Sequence, residues 1–119
     1  MPYWGSGPDD CDYAFGAVGV YILLIKERMT KDIATVLEKS FPEQGMVASL
    51  ACLRLIGERF PKALAVHFGK RDFAFVVSAF DEWLIKVGPK LPGKYRDTMV
   101  TEARAEFALF EKRILKPRD

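Results

Sequence analysis

The sequence predicts an all-α protein, a single compact domain of about five to six helices in bundle-like or orthogonal packing over residues 1–119. Three observations carry this. Apolar residues recur at spacings of three and four in most segments, Pro and Gly fall between those segments, and no stretch alternates apolar with polar residues long enough to demand a sheet. With half its residues apolar, a chain of 119 residues buries a core of ordinary size without disulfide or metal staples.

The first helix is expected from about Asp10 to Met29. Asp9, Asp10 and Asp12 lie where unpaired N–H groups and the positive end of the helix dipole favour negative charge, and Lys26 and Arg28 lie at the opposite end. Its apolar run, "YAFGAVGVYILLI" from Tyr13 to Ile25, is thirteen residues long. A membrane span needs about 20. The run therefore reads as the central helix of the domain, surrounded on all sides, with an oligomer interface as the alternative. Gly16 and Gly19 share a face of this helix, where missing side chains let another backbone approach closely.

Thr30 is placed to cap a second helix through about Lys39, with Ile33, Val36 and Leu37 inward. "SFPE", Ser40 to Glu43, has capping-box spacing with Pro42 in the first turn, and leads into a third helix that stops at Pro61. Met46, Val47, Leu50, Leu53 and Gly57 form its inner stripe, with Ala48, Ala51 and Cys52 as small neighbours. "PKALAVHFG" is a short helix from Pro61 to Gly69. From Arg71 to Val87, the spacing of Phe73, Val76, Val77, Phe80, Trp83, Leu84 and Val87 predicts a fifth helix. "GPKLPG", Gly88 to Gly93, is the strongest breaker. The last helix, about Lys94 to Leu115, carries Tyr95, Met99, Ala103, Phe107, Phe110 and Ile114 on one side.

The formal net charge of +2 is too small to imply nucleic acid or an anionic membrane as a partner. Its distribution is uneven: residues 1–50 hold four Lys/Arg and seven Asp/Glu, residues 51–119 fourteen and nine. Such asymmetry suits a charge-complementary contact with a protein partner or a second copy. The acids Asp97, Glu102, Glu106 and Glu111 between the basic residues of the last third oppose phosphate binding. Cys11 and Cys52 form no C-x-x-C or framework spacing, and the acidic, Gly-rich start is unlike a secretory leader, so a cytoplasmic location is expected.

"YWGSGPDDCDY", Tyr3 to Tyr13, concentrates the residues with chemical potential. A zinc site needs paired Cys and His ligands, and His67 is the sole histidine. Capping and the dipole account for Asp9, Asp10 and Asp12 without a metal. Cys11 at a helix start with His67 as base would form a dyad only if the fold joined them, and three adjacent Asp oppose a thiolate. "GSG" lacks the Gly spacing and the Lys-Ser/Thr ending of a phosphate loop. No catalytic residue, cofactor or metal is therefore expected. Trp4, Asp9, Asp10 and Asp12 are the candidate partner-binding residues, an aromatic anchor beside charge. The same turn also starts a helix, with Trp4 as an apolar plug.

In Trp4, Gly5, Gly7, Pro8, Asp9, Asp10, Asp12 and Ala14 the opening resembles a family of small bacterial proteins of uncharacterised function. These open with Trp-Gly-x-Gly-Pro, acidic residues and an Ala-rich helix, and "ASLACLRLIGERF" is similar in character to that family's second Ala-rich helix. The resemblance implies an α-helical domain without catalytic residues and, for some relatives, an immunity or accessory role beside toxin systems. The expected function is accordingly a non-enzymatic, cytoplasmic protein-binding module. The alternatives are a self-associating structural protein, using the first helix and the Phe-rich fifth, and a small hydrolase using Asp9, Asp10 and Asp12 or Cys11.

Overall fold

A computed structural model describes residues 12–39 and 45–118. Five α-helices make up the chain there: α1 (Asp12–Lys39), α2 (Met46–Arg59), α3 (Pro61–His67), α4 (Lys70–Val87) and α5 (Gly93–Phe110). A 3-10 turn at Gly88–Lys90 joins α4 to α5, and a π-helical stretch at Glu111–Leu115 continues α5 into a last 3-10 turn at Lys116–Arg118. No strand occurs among the described residues, and the all-α reading of the sequence holds.

The two helices expected on either side of Thr30 are one. Thr30 does not cap: its hydroxyl donates to the Lys26 carbonyl at 2.9 Å, one turn back in an uninterrupted helix. Two ion pairs bridge the expected junction, Lys31 to Glu27 at 3.1 Å and Arg28 to Asp32 at 3.1 Å, each four residues apart. Met29, Ile33 and Val36 keep one buried stripe running through it. A Thr cap signal loses to these because neither Gly nor Pro interrupts the segment. The expected "SFPE" capping box lies outside the described residues.

The remaining boundaries follow the sequence closely. The chain turns at Phe60, whose N–H donates to Ile56 O at 2.7 Å, and Pro61 opens α3, where its missing N–H costs nothing. At the start of α4, the Asp72 carboxylate accepts from the Gly69 N–H at 2.8 Å, satisfying a donor the helix leaves open. Lys26 Nζ ties this corner to α1, reaching the His67 carbonyl at 3.0 Å and Asp72 at 3.1 Å. At the other end of α4, Lys86 donates to the Leu37 carbonyl, so α1 and α4 run parallel.

The buried side chains form one cluster in which α4 and α5 contribute an aromatic ladder. Phe73 stacks on Phe110 at 5.1 Å, and Phe68 meets Phe110 edge-on at 5.4 Å. Phe80 meets Phe107 edge-on at 5.6 Å and lies 5.5 Å from Trp83. Such pairs add about 0.5–1.5 kcal/mol each to the burial of their area. Arg104 covers the ladder's rim, its guanidinium 5.3 Å from the Phe80 ring while it pairs with Asp81. Phe80 and Trp83 are wholly buried, so the Phe-rich helix offers neither as an interface residue. Gly57 is buried where α2 crosses α3; a Cβ there would stand 2.2 Å from Leu64 Cδ2 and 2.9 Å from Ile114 Cδ1.

Candidate interaction surface

α1 contains 28 residues and so spans about 42 Å. Its core-facing stripe begins at Gly19 and Ile22 and continues through Met29, Ile33 and Val36; Phe15 and Val18 before it are only partly covered. α3 reaches α1 at Gly19, where an added Cβ would stand 2.9 Å from His67 Nε2, so what comes close to this glycine is a side chain and not the backbone expected from the sequence.

The opposite side of the same half is apolar and uncovered. Tyr13 is 73% exposed, Val20 57%, Tyr21 62%, Leu23 49% and Leu24 56%, with Gly16 and Ala17 exposed among them. These positions recur at three and four, so they share a face, and no charged residue interrupts it from Tyr13 to Leu24. From Glu27 onward that face is charged, with Arg28 and Lys31 beside it. The surrounded helix expected from the sequence is therefore corrected: α1 is packed on one side and bare on the other. An apolar run shows that both sides avoid charge; it does not show that this chain supplies enough neighbours to cover both. A contiguous exposed patch of this kind marks an interaction surface more often than scattered surface residues do.

Gly16 sharpens the point. A Cβ built there meets nothing within 4 Å. Glycine inside a helix costs about 1 kcal/mol relative to alanine, and no neighbour among the described residues requires its absence of side chain.

A second set of polar residues lies across the molecule, between α2, α5 and the C-terminal turns. Arg54 grips Glu106 with two parallel bonds, Nε to Oε2 at 2.7 Å and Nη2 to Oε1 at 3.0 Å. Glu58 accepts from Arg54 Nη1 at 3.1 Å and from Arg113 Nη1 at 3.1 Å. Hydrogen bonding from Arg113, aided by Arg54 and opposed by desolvation, holds the Glu58 carboxyl below its usual range. The bond to Glu106 likewise holds Arg54 more firmly protonated against the cost of its burial. An open groove of about 440 Å³ runs beside this pair, lined by Val47, Ala51, Tyr95, Met99 and Glu102. Glu106, the acid at its base, is committed to Arg54, which makes the cluster a structural clamp between α2 and α5.

Of the expected partner-binding residues, Asp12 is the first residue of α1, and Trp4, Asp9 and Asp10 lie outside the described residues, as does Cys11. Cys52 is a free, exposed thiol on α2. Among the described residues no three His, Cys, Asp or Glu side chains converge as a metal site, and no helix is long and apolar enough to cross a membrane. The sequence offers the first helix as an interface only as the alternative to a surrounded helix, because it shows hydrophobicity without its direction. The signal that could have found the exposed face is Gly16, a helix-weakening residue in a run that has alanine available. No protein-family model, no curated protein and no solved structure matches this chain, so the surface is interpreted from its own residues.

Proposed function

We propose that this protein is a non-enzymatic binding module that docks another protein surface on the outer face of α1. The observation that carries the reading is the uncharged, half-exposed stretch from Tyr13 to Leu24 on a helix whose other side is already packed. Tyr13 and Tyr21 add aromatic surface of the kind that anchors interfaces. The immunity or accessory role implied by the resemblance of the opening motif, in a bacterial cytoplasm, fits this reading, since such a role works through stoichiometric binding.

A photo-reactive residue placed at Leu24 tests it in the native cell, with the same residue at Ile85, an 80% exposed apolar position on α4, as control. Protein adducts at position 24 and not at position 85 are expected. Adducts at neither position, or equally at both, would overturn the reading.

A further inference from the structure

Resting on that reading, we infer that the occupant of the α1 face is a second copy of this chain, with the two α1 helices antiparallel about a two-fold axis at Val20. The argument is one of register. An isologous antiparallel pair centred on Val20 sets Gly16 opposite Leu24 and Ala17 opposite Leu23, each twice by symmetry. Small thus meets large on both sides of the central Val20 pair, and the space left open at Gly16 is where the partner's Leu24 side chain goes. This accounts for a glycine that no packing among the described residues explains.

The ends of the face agree. The same register sets Asp12, first residue of α1, opposite Arg28, and Tyr13 opposite Glu27, so an acidic position meets a basic one and a phenol meets a carboxylate at each end. A parallel pairing does the reverse, setting Gly16 on Gly16 with a void between and Arg28 on Arg28 with like charges together. The charged positions from Glu27 to Lys31 then bound the contact and limit it to the first half of α1.

The test uses the full chain with Cys11→Ser and Cys52→Ser, into which single cysteines are introduced and oxidised mildly at equal concentration. Val20→Cys lies on the axis and is expected to form an interchain disulfide at least about ten times faster than Gly16→Cys or Leu24→Cys alone, because a disulfide needs Cα atoms within about 7 Å. An equimolar mixture of Gly16→Cys and Leu24→Cys is expected to cross-link as heterodimer. Sedimentation velocity on the cysteine-free parent is expected to show a monomer–dimer equilibrium, lost in Leu24→Glu while its helical circular dichroism is retained. A parent that stays monomeric at every concentration overturns the inference, as does a dimer that survives Leu24→Glu or cross-links fastest through Gly16→Cys. A monomeric parent combined with adducts at position 24 to a different protein would overturn the second copy and leave the binding module standing.

Discussion

The aromatic ladder of α4 and α5 and the outer face of α1 have similar residues at similar helical spacing and opposite fates. Phe68, Phe80, Trp83 and Phe110 are sealed from solvent, whereas Tyr13, Val20, Tyr21 and Leu24 are half exposed or more. The ladder is completed within the chain because α4 and α5 face each other. Among the described residues the α1 face has nothing across from it, because α2, α3 and α4 all pack on the other side of that helix. Hydrophobic patterning thus states which residues avoid water and leaves open whether the chain itself or a partner excludes it.

The largest effects should fall on the ladder. Phe110→Ala is expected to cost about 3–5 kcal/mol, read as a lower urea midpoint, while Leu24→Ala shifts the dilute protein by less than about 0.5 kcal/mol. Comparable losses at both sites would break the contrast. Next comes the clamp: Arg54→Ala leaves Glu106 partly buried without its partner and is expected to cost about 3 kcal/mol. Arg54→Met combined with Glu106→Leu should recover most of that, since an apolar pair of similar volume needs no desolvated charge.

Acid should act on the clamp through Glu58. The Glu58 carboxyl is held below its usual range by Arg113 first and Arg54 second, so its contribution is complete above the unfolded value of about 4.3 and is lost as pH falls through the lower folded value. Urea midpoints measured between about pH 5 and pH 3 should fall less steeply in Glu58→Gln than in the parent. The smallest effect is expected at Gly16. Gly16→Ala should stabilise the dilute monomer by up to about 1 kcal/mol, by helix propensity, and should weaken association by filling the space left for Leu24. A substitution that favours the fold and opposes assembly separates the two roles within a single helix.

Much of this architecture was legible from residue spacing. α2 ends, and α4 and α5 begin, within a few residues of their sequence signals, because Pro61, Gly69 and the Gly88–Gly93 breaker act locally through missing donors and backbone freedom. What sequence could not yield is decided by tertiary placement. Thr30 looks like a cap until the Glu27–Lys31 and Arg28–Asp32 pairs close over it. Arg54 and Glu106 are far apart in the chain and pair only once α2 and α5 are side by side, although Glu106 between Ala103 and Phe107, on the edge of an apolar stripe, was a clue. The exposure of α1 depends on how many helices reach it, which no local pattern records.

Thermal unfolding of the parent and of Leu24→Glu over a hundredfold range of protein concentration tests the central claim most directly. The account predicts that the parent Tm rises with concentration, because association stabilises the folded state by mass action, while Leu24→Glu melts at the dilute parent's Tm and stays there. A variant that melts well below the parent at every concentration would show that Leu24 supports the fold of its own chain, and would contradict the division between core and contact surface.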